Sequence, residues 1–175
     1  MAENRTALRI SLIVIMTAIV AVFTYGFGSL RLPSPVGGYI SLCDAAVTFV
    51  AYAFGPFTGF IAGGLGAAFA DLIGGFPQWA VISFIVHGVE ALLMGLVIRK
   101  DSTSLMLKII AALIAVVIVS GGYLVLTTLF GLTVFQEALL EVPGNIAQSG
   151  VGAVIGLVLY SAVKKGFRNL DDIRW

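Results

Sequence analysis

Seven side chains in two short stretches carry most of the chemistry open to this chain. In the first, Trp79, Ser83, His87 and Glu90 recur at steps of four, four and three. That spacing gathers them on one face of a helix. In the second, Glu141, Asn145 and Gln148 do the same, with Gly152 and Gly156 continuing the line. Asp71 and Asp44 add two further carboxyl groups in apolar surroundings. Such a set can hydrogen-bond, exchange a proton and stack on a ring. Covalent chemistry is not expected of it, because no nucleophile stands beside a credible base. His87-x-x-Glu90 has the spacing of half a di-iron motif, but the chain has a single histidine and a single cysteine, Cys43. Most protein-built metal sites are thereby excluded, and no metal or cofactor is expected. No phosphate-cradling Walker motif is present, so the chain does not itself hydrolyse ATP. The chemistry points to binding and away from an enzyme.

The elements that must position these groups are set by the solvent. Of 175 residues, 59% are hydrophobic and 11% charged. A soluble domain has about 45–50% apolar and about 25% charged residues. A chain this short cannot bury that excess in a core, so lipid takes the place of water. Apolar blocks separated by Gly, Pro and charge predict an all-α bundle of six transmembrane helices, near 8–29, 43–54, 56–74, 79–98, 105–130 and 139–163. The second is short, and the Gly55-Pro56 dipeptide after it reads equally as a turn or a kink. The apolar run from Ile10 to Gly28 is long for a signal peptide and lacks a clear cleavage pattern, so it reads as a retained first span. The whole of 1–175 forms a single membrane domain on this reading. A net charge of +1 gives no reason to expect nucleic acid.

Charge orients the bundle. With six spans and the amino terminus inside, Arg5, Arg9, Arg99, Lys100, Lys108, Lys164, Lys165, Arg168 and Arg174 all fall on the cytoplasmic side, and Arg31 alone falls outside. Membrane proteins carry this excess of Lys and Arg on their inner loops. Both termini, including the charged tail FRNLDDIRW, are then cytoplasmic, in the plasma membrane.

In that frame the polar groups descend from the outer face. His87 lies about 12 Å and Glu90 about 16 Å below Trp79, the latter close to the midplane. Charged groups at such depth are costly unless they line a cavity or pair. Two polar stripes on two helices are most simply two walls of one pocket. Competing readings stand beside this. Asp44 could cap a helix, His87 and Glu90 could merely pair across one turn, Trp79 could anchor at the interface, and Asn145 and Gln148 could join helices by hydrogen bonds. Glu137 reads as a loop or helix-start residue without a role.

Two further features bear on packing. Gly55, Gly59, Gly63, Ala67 and Asp71 recur every four residues, a small-residue stripe for close helix contact within the bundle. Thr17 and Ala21 share that spacing on the first helix and could face another protein. The segment 30–42, with Pro33, Pro35 and Gly37-Gly38, lies on the same side as the polar stripes. It is either a lid or a passive connector.

The sequences RLPSPVGGYISLCDAAVTFVAYAFGPFTGFIAGGLGAAFADLIGG, PQWAVISFIVHGVEALLMGLVIRK and EVPGNIAQSGVGAVIGLVLYSAVKK together resemble the membrane-embedded S-components of energy-coupling factor (ECF) vitamin transporters. The branch associated with hydroxymethylpyrimidine, the thiamine precursor, is the most similar. The resemblance implies six helices with both ends cytoplasmic, and a vitamin site near the outer face built by helices four to six and closed by the first loop. It implies association with a shared transmembrane coupling subunit and two cytoplasmic ATPases. Small alanines on the first helix dock that subunit in the family; here the positions read Thr17-x-x-x-Ala21. Glu90, Glu141 and Asp71 as acids, His87, Asn145, Gln148 and Ser83 as hydrogen-bonding groups, and Trp79 as a stacking surface would suit an aminopyrimidine or pyridine ring. Pyridoxine and riboflavin are alternative vitamins. A stand-alone carrier with Glu90 and His87 as a proton relay is the rival class.

Overall fold

Large apolar side chains cover the outside of this protein, while several polar groups lie inside it among apolar ones. Val14, Leu113, Val117, Val151, Val154 and Val158 are exposed, while Asp44, Thr48, Thr58 and Glu90 are fully buried. A surface of β-branched and Leu side chains around an interior that also holds carboxyl and hydroxyl groups is stable only where the solvent is hydrocarbon. The computed structural model describes residues 2–26, 32–35, 37–98, 104–167 and 170–175. Six α-helices make up nearly all of it: α1 (Ala2–Ala21), α2 (Cys43–Phe54), α3 (Pro56–Gly74), α4 (Ala80–Val97), α5 (Leu105–Leu129) and α6 (Phe135–Gly166). A π-helical turn, Val22–Gly26, extends α1, and two short antiparallel strands, β1 (Leu32–Pro33) and β2 (Tyr39–Ile40), pair between α1 and α2. Five helical segments are long and apolar enough to cross a membrane. The protein is a multi-pass membrane protein.

Helices α2 to α5 begin and end within a residue or so of the apolar blocks. The other two start earlier than hydropathy alone suggests. α1 begins at Ala2 in place of 8, and α6 at Phe135 in place of 139. In both cases the residues before the apolar run, Ala2 to Ala7 and Phe135 to Ala138, include good helix formers and no Gly or Pro, so the helix extends into them. Glu137 stands exposed in the first turn of α6, where a carboxylate suits the helix dipole.

Gly55-Pro56 is a reversal and not a kink. A Cβ placed on Gly59 would meet Ala51, and one on Gly63 would meet Val47, so α3 returns antiparallel along α2. Gly55 takes φ +89°, a left-handed value that favours glycine. Its α-carbon also faces the carboxyl-terminal residue: a Cβ there would lie 2.3 Å from the Trp175 carbonyl oxygen. The tail, a 3-10 turn over Leu170–Ile173, docks at this corner. Trp175 donates its N–H to the Phe54 carbonyl at 3.1 Å. Arg174 donates to the Gly95 carbonyl at 2.7 Å, to that of Ile98, and to that of Tyr52. Arg9 stacks its guanidinium 5.0 Å from the Trp175 ring. The basic ends of α1 and the tail therefore meet at one end of the bundle. Arg31, Arg99, Lys100 and Arg168 lie outside the described residues, as does the side chain of Arg5.

The small stripe of α3 is used internally. Cβ atoms on Gly59 and Gly63 would press on Ala91 and on the His87 carbonyl at 3.1 Å, so α3 and α4 pack nearly backbone to backbone. Gly152 and Gly156 serve α6 in the same way, against Asp44 and Thr48 of α2. These close approaches draw α4 and α6 in around α2.

At 12 residues α2 is about 18 Å long, against about 30 Å of hydrocarbon. It is short because its amino-terminal end starts inside the protein. The chain from β2 runs inward to Ser41 before the helix begins, and the space above α2 becomes a cavity.

Candidate ligand-binding site

The cavity lies between the α4 and α6 stripes. Trp79, Ser83 and His87 line it from α4 and its cap, Glu141, Asn145 and Gln148 from α6, and Asp71 from α3. The two stripes are walls of one pocket. Its free interior is about 40 Å³, room for about three waters. Ring walls come from Trp79 and Tyr123, whose centroids are 6.3 Å apart at 54°. No lysine or arginine is among the described lining residues.

Several of these side chains are held by a neighbour. Ser83 Oγ and Tyr123 Oη are 2.7 Å apart, and Tyr123 Oη lies 3.3 Å from His87 Nε2. Tyr39 donates its hydroxyl to Asp71 Oδ1 at 2.7 Å. Gln148 is a bridge: its Oε1 accepts the Ser41 N–H at 2.7 Å, and its Nε2 donates to Asp44 Oδ2 at 2.6 Å. Ser34 donates to Glu141 Oε1. Two polar atoms of the lining residues, Asn145 Nδ2 and Asp71 Oδ2, are buried with no hydrogen-bond partner. A buried polar group without a partner is costly, and these two, a donor and an acceptor, belong to residues on opposite helices of the cavity.

Glu90 does not line the cavity. It is fully buried one turn below His87, whose Nδ1 lies 3.0 Å from Glu90 Oε2 and 3.8 Å from Asp44 Oδ1. The pairing of His87 with Glu90 across one turn is thus present, and a third group has joined it. Asp44 is not a cap. Leu42 holds the cap position without a side-chain bond, and Asp44 sits in the first turn with its carboxylate turned inward.

Trp79 is 6% exposed, too buried for an interfacial anchor. The segment containing β1 and β2 covers the cavity through Gly38, Tyr39 and Ser41; residues 30, 31 and 36 lie outside the described residues. Thr17 is 9% exposed and turned into the bundle, its carbonyl 2.8 Å from where a Cβ on Gly66 would stand. Ala21 is half-buried, and the surface that α1 leaves open is formed by Ile10, Val14, Ile15, Ala18 and Val22. The spacing of four does not distinguish the two faces of such a helix, and Thr17 lies on the inward one.

Tyr123, Tyr39 and Ser41 went unnoticed in the sequence. Tyr123 is embedded in the apolar run of α5, and its signal was the spacing Ser120, Tyr123, Thr127 on one face. Tyr39 and Ser41 belong to a segment with no period to read.

The family profile described as "ECF-type riboflavin transporter, S component" matches residues 4–165. A protein of Pyrococcus woesei described as "Uncharacterized protein in gap 3'region" is 32% identical over 136 residues, 77% of this chain and 89% of its own. The "Thiamine precursor transporter HmpT" of Lactococcus lactis subsp. cremoris (strain MG1363) is 27% identical over 172 residues, 95% of this chain and 96% of its own.

Proposed function

We propose a function from one premise: the chain belongs to the family of ECF-type riboflavin transporter S components. Membership makes it a substrate-binding subunit of a vitamin or vitamin-precursor transporter, and not an enzyme. On our reading its substrate is an uncharged or cationic heteroaromatic ring of the hydroxymethylpyrimidine type, the thiamine precursor. It works in the plasma membrane with a shared transmembrane coupling subunit and two cytoplasmic ATPases.

The observation that carries the substrate is the pairing of an unused donor and an unused acceptor in an aromatic cavity whose described lining holds no cation. Asn145 Nδ2 suits a ring nitrogen, Asp71 Oδ2 suits an exocyclic amine or hydroxymethyl group, and Trp79 and Tyr123 offer stacking faces. Glu141, Gln148 and Ser83 complete the rim, and His87 forms the polar floor. A phosphate ester would meet Asp71 and Glu141 with no counter-charge among the described lining residues, which favours the free precursor as the ligand. Kinship with a thiamine precursor transporter across nearly the whole chain supports the same substrate. Riboflavin is the second reading, favoured by the family's description; its three fused rings need more room than a single pyrimidine ring, and the closed cavity of about 40 Å³ must widen for either. A lid movement of the β1–β2 segment admits the ligand in either case.

The chain crosses the membrane six times with both ends cytoplasmic, as a single domain. Its basic residues support this. A membrane-impermeant thiol reagent applied to intact cells is expected to label Thr133→Cys and spare Ser104→Cys; wild-type Cys43, 1% exposed, gives little background. Labelling of Ser104→Cys alone reverses the orientation.

Reconstitution tests the function itself. In liposomes the chain alone is expected to bind the pyrimidine without accumulating it, and adding the coupling subunit and ATPases starts ATP-dependent uptake. Accumulation by the chain alone, driven by a proton gradient, would make it a secondary carrier. The docking face we assign to the coupling subunit is the open side of α1 around Ala18, neighbouring the Ala21 position.

A further inference from the structure

Beneath the cavity, Asp44 of α2 meets His87 and Glu90 of α4, and nothing in the proposed vitamin capture requires this arrangement. One oxygen of each carboxylate and one imidazole nitrogen all lie within 4.8 Å of one another. His87 Nδ1 is 3.0 Å from Glu90 Oε2 and 3.8 Å from Asp44 Oδ1. We propose that these three residues form a binding site for a divalent first-row transition ion of the zinc class.

The distances suit one ion. Zinc binds imidazole nitrogen and carboxylate oxygen at about 2.0–2.2 Å, which places ligand atoms roughly 3–4 Å from each other. The donor set, one nitrogen and two oxygens, is the mixed set that borderline ions take.

Two observations point to a cation at this place. Asp44 Oδ1 and Glu90 Oε1 are fully buried and have no hydrogen-bond partner. Neither carboxylate pairs with a lysine or arginine; their only ion pairs among the described residues are with His87. Two carboxylates at such depth are expensive without a counter-charge. A divalent ion with a neutral imidazole balances them.

The surroundings are those of a supported site. Metal-bound histidines hold their second ring nitrogen in a hydrogen bond that fixes the tautomer. Here Nε2 of His87 faces Tyr123 Oη at 3.3 Å, and Tyr123 is fixed by Ser83 at 2.7 Å. Gln148 takes Asp44 Oδ2 at 2.6 Å and so leaves Oδ1 toward the imidazole. His87 also lines the cavity, which gives an ion a way in. The site stands whichever ligand fills the pocket above it.

The test uses the full chain in detergent, tag removed, stripped with chelator and titrated with Co²⁺ alone. One Co²⁺ per chain is expected, with the visible absorption of a low-coordinate nitrogen–oxygen site, displaced by Zn²⁺. Zn²⁺ should also raise the melting temperature. His87→Gln should abolish the absorption, Tyr123→Phe should weaken binding by about 10- to 100-fold, and the exposed Glu137→Gln should leave it unchanged. If wild type binds no stoichiometric Co²⁺, the carboxylates share a proton and the proposal fails. It fails equally if His87→Gln and Glu90→Gln, folded by their melting curves, bind Co²⁺ as wild type does.

Discussion

Replacing Asn145 with alanine is expected to lower the affinity for hydroxymethylpyrimidine by about 5- to 150-fold, the equivalent of about 1–3 kcal/mol for one buried hydrogen bond. The melting temperature of the ligand-free protein should not fall. Both halves follow from the same geometry. Asn145 is 9% exposed, and its Nδ2 has no partner in the protein. Truncation therefore leaves no other group stranded in the ligand-free state, and the whole effect falls on the complex. Asn145→Asp is the sharper comparison. It keeps the shape but replaces the donor by an acceptor, so a ring nitrogen now meets a carboxylate and binding should weaken further. Equilibrium titration of the purified variants checks both; unchanged affinity in Asn145→Ala removes this residue from the site.

The largest stability effect is expected at Gln148. Its side chain joins the Ser41 backbone at 2.7 Å to the Asp44 carboxylate at 2.6 Å, and so ties the cover of the cavity, α2 and α6 together. Gln148→Leu retains the bulk and deletes both bonds, leaving an amide and a buried carboxylate oxygen unpaired. Each such loss costs about 1–3 kcal/mol, more when the stranded group is charged, so destabilisation of at least about 2 kcal/mol is expected. Gln148→Glu keeps an acceptor for Ser41 but sets a second carboxylate against Asp44. It should be at least as damaging at neutral pH and should recover on acidification, as the added carboxyl becomes protonated and can donate. Thermal unfolding in detergent at two pH values measures this. A melting curve unchanged in Gln148→Leu would show that the bridge holds nothing together.

Much of this molecule could be read before any coordinates, because lipid makes hydropathy nearly a direct readout of helices. The limits of α2 to α5 follow from that alone. So does the meeting of the two stripes: polar groups at helical spacing cannot face hydrocarbon, and two such faces find shelter in each other. What stayed hidden was set by tertiary contacts. Gly55-Pro56 has the same composition whether the chain bends or reverses; Ala51 against Gly59 decides it. Asp44 looks like a helix cap when α2 is imagined to start at a membrane surface. It becomes a partner of His87 once the helix starts in the interior. Tyr123 is silent inside an apolar run because its ring satisfies the hydropathy and its hydroxyl does the bonding. The tail reads only as a charged cytoplasmic end, yet Arg174 finds three carbonyls at helix ends. No local rule announces such a match.

Calorimetric titration of the purified chain with hydroxymethylpyrimidine, its phosphate ester and riboflavin puts the central claim to its most direct test. Saturable one-to-one binding of the free pyrimidine is expected, with the phosphate ester and riboflavin far weaker. Tight binding of riboflavin with none of the pyrimidine, or a phosphate ester bound as tightly as the free ring, would contradict the reading of this cavity.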